Sequence, residues 1–154
     1  MINEETLARA VAVAMTAHQG QTDKAGQPYA LHVMRVMLAV AEVNPALPTE
    51  ALVAAVLHDV VEDTELTIEQ IEQEFGDEVA ALVAMLTKTP HEPNDLYYGR
   101  LKTNPIAATI KMADLKDNMN MKRLPDPTPK DWERYGRYWI REQELAEYLF
   151  QNNV

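Results

Sequence analysis

The chain of 154 residues contains no cysteine and no serine. The first absence removes disulfides, thiolate metal sites and thiol nucleophiles together. The second removes serine-hydrolase chemistry. Strand patterning is weak throughout. No apolar run approaches the roughly 20 residues of a membrane span, so no membrane partner is expected. The start, MINEETLARA, is acidic and has no signal-peptide pattern, which points by default to a reduced, cytoplasmic home. Positive charge is missing from a long stretch: between Arg35 and Lys88 there is no lysine or arginine, while eleven acidic residues fall in that interval. The net charge of −10 disfavours nucleic acid as a partner.

What is present points to one helical domain. Apolar residues make up 47% of the chain, enough for a real core and too much for disorder, and the length leaves little room for a second domain beside one spanning 1–154. Apolar residues recur at helical spacing. The reading is helices over 4–18, 30–43, 49–59, 68–76, 77–87, 95–103, 105–118 and 131–150. Thr49 and Thr67 are read as N-caps, and the Pro- and Gly-rich stretches between these segments as loops. The expected fold is all-α, a helical bundle of about seven to eight helices. Between Arg100 and Arg123 the charge reverses, with Arg100, Lys102, Lys111, Lys116, Lys122 and Arg123 against Asp114 and Asp117. An acidic half suits cations and a basic half suits phosphates.

The stretch VLHDVVEDTELT concentrates the chemistry. An apolar run ends on His58 and Asp59, and Glu62 and Asp63 follow two residues later. If the helix continues through Asp63, these four groups fall within roughly 140° of arc. Unpaired charges beside an apolar segment are costly. A divalent cation compensates them directly, and imidazole with carboxylates suits Mn, Fe, Zn or Mg. More ligands are then needed from elsewhere. His32, early in a helix after a loop, and Asp114, late in an apolar helix, are the candidates, with Asn118 one turn beyond Asp114. Lys111 lies three residues before Asp114 and so on its face, placed to receive a phosphate.

The ordered set His32, His58–Asp59, Asp114 resembles the signature of the HD phosphohydrolases. Four stretches, AHQGQTDKAGQPYALH, VLHDVVEDTELT, EFGDEVAALVAMLTK and KMADLKDNM, resemble in order the hydrolase domain of RelA/SpoT-type alarmone enzymes, over residues 17–124. The resemblance implies one Mn²⁺ held by His32, His58, Asp59 and Asp114. It implies that Glu62 and Asp63 position and deprotonate an attacking water, and that Asn118 contacts the nucleotide sugar. It places Lys24 near the nucleotide. Arg134 and Tyr138, four apart on one helical face, match loosely an arginine and tyrosine pair that contacts phosphate and base. The implied reaction is removal of the 3′-diphosphate from (p)ppGpp or a related nucleotide.

Three positions depart from the family pattern. Asp23 stands where arginine or lysine is usual, Ala25 where serine is common, and Val33 where proline follows the first histidine. Asp23 lacks the planar cation that stacks on a purine, which leaves base selection open between guanine and adenine nucleotides such as (p)ppApp. The alternatives for Asp23 are that it points to solvent or pairs with Lys24. The competing functions are an HD phosphatase or pyrophosphatase acting on other nucleotides, and a non-catalytic nucleotide-binding HD module. The oligomeric state is not legible.

Overall fold

The computed structural model describes residues 4–152. Among them are nine α-helices: α1 Glu4–Ala17, α2 Ala30–Val43, α3 Thr49–Leu57, α4 Val60–Asp63, α5 Ile68–Phe75, α6 Asp77–Leu86, α7 Asn94–Leu101, α8 Pro105–Asn118 and α9 Pro129–Gln151. One 3-10 turn, Met121–Arg123, links the last two helices. α4 is a single turn, so eight helices are of ordinary length. The only pairing of extended backbone among the described residues is an isolated bridge between Thr22 and Pro28. The all-α expectation therefore stands.

α3 is the axis of the fold. After Thr49 and Glu50 its sequence, TEALVAAVL, is apolar all round, and a helix of that kind belongs inside. Residues 53–57 have no exposed surface, and α3 is packed against α1, α2, α6 and α8. The alanines let these neighbours approach closely. α9 lies along α8 through Leu145 and Leu149. This arrangement sends the C-terminal end of α3, the start of α2 and the last turns of α8 to one place.

The ends of the helices follow local chemistry. Thr67 caps α5, as expected from the sequence, and does so in a reciprocal capping box with Gln70. A second box, Thr128 with Asp131, opens α9 two residues earlier than the expected start at 131. Asn104 accepts the N–H groups of Ile106 and Ala107 at the head of α8, with Pro105 at the first helical position. Gly76 adopts φ +90°, which allows α5 to stop and α6 to begin without a linker. Thr49 is not a cap: Pro48 precedes the helix in extended conformation and Thr49 is its first residue.

One expectation about the fold is corrected. The helix containing the apolar run, expected to reach Asp59, stops short of it and does not continue through Asp63. It ends at Leu57; His58 and Asp59 form the break, and a new turn starts at Val60. Asp59 sits at φ −108°, ψ −5°, the bridge region between helix and strand. The Asp63 amide still donates to the Asp59 carbonyl, which holds the new turn close to the old one. The break turns Asp59 out of the α-helical register.

Leu57 anchors this break from the buried side. Leu57→Ala should destabilise the protein by about 2–5 kcal/mol in chemical denaturation. A loss below about 1 kcal/mol would show that the end of α3 is not held by core packing.

Candidate functional site

Four side chains from three parts of the chain meet at the end of α3. His32 comes from the first turn of α2, His58 and Asp59 from the break, and Asp114 from the last turns of α8. One ligand atom from each lies within 4.8 Å of the others. Both imidazoles and Asp114 are buried; Asp59 is partly exposed. His58 Nε2 is 2.9 Å from Asp59 Oδ2 and 3.7 Å from Asp114 Oδ1. His32 Nε2 is 3.2 Å from Asp114 Oδ1 and 3.6 Å from Asp59 Oδ2.

The other nitrogen of each ring is already committed. His58 Nδ1 donates to the Ala55 carbonyl at 2.7 Å, and His32 Nδ1 faces the Asp117 carboxylate at 2.6 Å. A carbonyl and a carboxylate only accept, so both Nδ1 atoms must carry the proton. In the neutral rings Nε2 is then a bare lone pair. Both Nε2 atoms are buried and lack a hydrogen-bond partner. Two orphaned lone pairs facing two carboxylates are the donor set of a borderline divalent cation. The residues present fit such an ion.

Without a cation, protons take its place. Burial works against the charged His32 ring, but Asp114, Asp117 and Asp59 outweigh it and push its pKa up to about 11. The same opposition at His58, with burial against Asp59 and Asp114, ends at about 9. Burial tends to raise Asp114, yet Lys111 and the two histidines hold its carboxyl well below the usual range. The Tyr29 hydroxyl donates to Asp59 and stays protonated, because burial and the Asp59 charge both oppose the phenolate.

The remaining candidates divide. Lys24, Asn118, Arg134 and Tyr138 line one narrow cleft, with Tyr29 and His32 on its inner wall. Slight burial and the nearby Arg134 and Arg137 charges lower the Lys24 pKa, with Asp131 opposing them. The mouth of the cleft is therefore crowded with cations. Asn118 also donates to Asp114 Oδ1 at 2.6 Å. Glu62 sits on the exposed turn α4, where its Oε2 accepts the Lys88 amide at 3.0 Å. Partial desolvation raises the Glu62 pKa against that hydrogen bond, and the Asp59 charge adds to the rise. Desolvation and Asp59 raise Asp63 in the same way. Asp63 lines a different groove of about 750 Å³, together with Gln21 and Glu65.

Two residues do not stand where the sequence put them. Lys111 is not free for a phosphate: its Nζ donates to Asp114 Oδ2 at 2.7 Å and lies over the Tyr97 ring, 5.6 Å from its centroid. Burial opposes its charge, but Asp114 more than compensates and keeps it protonated. Asp23 neither points to solvent nor pairs with Lys24. Its Oδ1 accepts the Ala25 and Gln27 amides, both at 2.9 Å, and its Oδ2 accepts from Arg123 at 2.8 Å. Arg100 and Tyr97, from the basic segment and its neighbourhood, serve packing. Arg100 donates to the carbonyls of Ala84, Met85 and Thr87 at the end of α6, and Tyr97 to that of Leu86.

Sequence reasoning missed Asp117 and Tyr29 as parts of the site. Asp117 had a readable signal, three residues after Asp114 and so on the same side of α8. Tyr29 lies three residues before His32, but its position just outside α2 hid the relation.

Comparison with known proteins gives four findings. A family model described as an HD domain matches residues 10–96. The bifunctional (p)ppGpp synthase/hydrolase SpoT of Escherichia coli (strain K12) is 46% identical over 82 residues, covering 53% of this chain and 11% of that protein. A probable GTP pyrophosphokinase of Mycobacterium leprae is 36% identical over 134 residues, covering 81% of this chain and 17% of that protein. This chain therefore spans between a tenth and a fifth of the length of these relatives. A solved structure, described as a metazoan ortholog of SpoT that hydrolyses ppGpp and plays a role in starvation responses, superposes with a TM-score of 0.77 at 26% identity. It covers 97% of this chain and 88% of its own.

The proton-for-cation exchange has a measurable consequence. Both histidine pKa values are raised above the ordinary 6.5 in the folded state. Their contribution to metal-free stability is therefore full below about pH 6.5 and is lost as pH rises through about 9 and then about 11. The chelator-treated protein should melt at progressively lower temperature across that window. Mn²⁺ uptake at pH 7 should release on the order of one proton from each imidazole. Calorimetry in buffers of different ionisation enthalpy reads that release, and heats independent of the buffer would contradict it.

Proposed function

The chain belongs to the HD-domain family, and on that premise we propose that it is a divalent-metal-dependent pyrophosphohydrolase acting on (p)ppGpp or a close relative such as (p)ppApp. The observation that carries this reading is a convergent group of two histidines and two aspartates, buried except for Asp59, flanked by a cation-rimmed cleft. Residues 1–154 are read as one unit of this kind. Manganese is the proposed ion on the resemblance to the alarmone hydrolases; imidazole mixed with carboxylate accommodates it as it does Fe, Zn or Mg. The names of the relatives and the solved metazoan structure support the substrate class.

His32, His58, Asp59 and Asp114 would hold the cation. The chemistry it supplies when bound is polarisation of a phosphoryl oxygen and acidification of a nearby water. Lys111 keeps Asp114 ionised and turned inward, and Tyr29 does the same for Asp59. Lys24 and Arg134 receive phosphate at the cleft mouth, where an anion relieves their mutual repulsion. Tyr138 offers a ring face to the base, and the Asn118 side chain lies within reach of the sugar. Asp23 has its oxygens occupied, so base choice falls to other residues of the cleft.

Glu62 is the proposed general base, with Asp63 beside it. Its carboxylate, partly desolvated and fixed by the Lys88 amide, is set to take a proton from water. The water oxygen then bonds to the phosphorus attached at the 3′ oxygen. The bond from that phosphorus to the 3′ oxygen breaks and the sugar oxygen is protonated. The products are pyrophosphate and a nucleoside 5′-diphosphate from ppGpp, or a 5′-triphosphate from pppGpp.

Mn²⁺-loaded protein incubated with ppGpp, ppApp and ordinary nucleotides tests the reading. Pyrophosphate and a nucleoside diphosphate from the first two are expected. Turnover confined to ordinary nucleotides would favour the wider HD phosphatase reading, and no turnover at all the binding module. His58→Ala and Asp114→Ala should lose bound metal and activity together, and full metal occupancy in both would contradict the ligand set. Glu62→Gln should keep its metal while turnover falls roughly 10²–10⁴-fold; near-normal turnover would pass the role to Asp63.

A further inference from the structure

A chain of alternating charges leads away from the metal centre. It begins at His32 Nδ1, which faces Asp117 Oδ2 at 2.6 Å. Asp117 also accepts from two arginines: Arg35 Nε reaches its Oδ1 at 2.6 Å, and Arg123 Nη2 its Oδ2 at 3.1 Å. Arg123 Nη2 further holds the Asp117 carbonyl at 2.6 Å. Through Nη1, Arg123 then reaches Asp23 Oδ2 at 2.8 Å. Asp23 in turn organises the loop 22–28 by accepting the amides of Ala25 and Gln27. The chain joins α2, α8, the 3-10 turn after α8 and the loop bearing Lys24, residues 100 apart in sequence.

Arg123 is the junction. It lines the cleft, and its Nε is buried without an acceptor among the described residues. It divides its charge between two carboxylates. Arg35 spans the same two carboxylates more loosely, its Nη2 3.8 Å from Asp23 Oδ2, so removing the Asp23 charge leaves both arginines to neutralise Asp117 alone. Asp117 then holds the His32 Nδ1–H less strongly, and Nε2 becomes a poorer donor. A carboxylate behind a ligating histidine fixes its tautomer and raises its basicity.

Resting on the reading of His32 as a metal ligand, we propose that Asp117 and Asp23 are positioning residues that set the metal affinity of His32, Asp117 directly and Asp23 through Arg123. The loop that carries Lys24 and the metal centre are thereby coupled, and coupling of this kind is reciprocal.

The test is Mn²⁺ titration of metal-free full-length protein by calorimetry, with no nucleotide present. Asp117→Ala should weaken Mn²⁺ binding roughly 10–100-fold. Asp117→Asn, which keeps an acceptor for His32 and loses the charge, should fall between it and the wild type. Asp23→Asn keeps the acceptor for Ala25 and Gln27 and removes the ion pair, so it should weaken binding about threefold to tenfold. The double variant Asp23→Asn/Asp117→Ala should bind no worse than Asp117→Ala alone. Asp95→Ala, which removes a surface carboxylate paired with Arg141, should bind as the wild type does. Thermal melts of the metal-free variants verify that each is folded. Wild-type affinity in Asp23→Asn, or losses that simply add in the double variant, would overturn the coupling. Wild-type affinity in both Asp117 variants would overturn the whole proposal, as would a wild type that binds no Mn²⁺. The expected order of affinities in a protein that leaves ppGpp intact would overturn the proposed activity and leave this inference standing.

Discussion

Holding two carboxylates, Asp114 buried and Asp59 partly exposed, against the core of an apolar helical fold is the constraint around which the rest of the molecule is arranged. An isolated buried carboxylate is too costly to remain charged and uncompensated. Here Asp114 is 4% exposed and stays ionised. It does so because Lys111, Asn118 and the two histidines surround it. Asp59 is served by His58 and Tyr29. The protonated imidazoles and a divalent cation are two solutions to the same electrostatic problem, and the Nδ1 bonds keep Nε2 ready for either.

The helices supply rigid delivery. The last five residues of α3 have no exposed surface, so the position of its end is determined by four neighbours rather than by solvent. Ending that helix at Leu57 is what makes the site. Had the helix run on, His58 and Asp59 would point about 100° apart. The break at φ −108° brings His58 Nε2 and Asp59 Oδ2 to 2.9 Å instead. The same break sets α4 apart as a short exposed turn, which leaves Glu62 at the rim with its carboxylate pinned to a backbone amide from the end of α6.

Much of this was legible in the sequence, and the rest was not for definite reasons. The bounds of α2 and α8 followed from periodicity and from the Asn-Pro start of α8. The N-cap at Thr67 was plain. His32, His58, Asp59 and Asp114 were readable as a set, and they do converge. The break between α3 and α4 was not readable, because HDVV has no proline or glycine; tertiary packing imposes it. Spacing put Lys111 beside Asp114, but spacing does not say whether a lysine turns to a ligand or to its own neighbour, and burial decides for the neighbour. Asp23 was judged against the base it replaces a contact to, whereas its partner, Arg123, lies 100 residues away. Contacts at that separation leave no periodic trace. Asp117 was visible at i+3 from Asp114, yet only the packing of α2 on α8 shows that it meets His32.

The central claim is that these two histidines and two aspartates form a single cation site. Crystals soaked in Mn²⁺ and measured at the manganese absorption edge test it most directly. The account predicts one strong anomalous peak in coordination contact with His32 Nε2, His58 Nε2 and carboxylate oxygens of Asp59 and Asp114, with the Nδ1 contacts to Asp117 and Ala55 retained. A strong peak elsewhere with none at this position, or a peak that leaves either histidine out of its coordination, would contradict it.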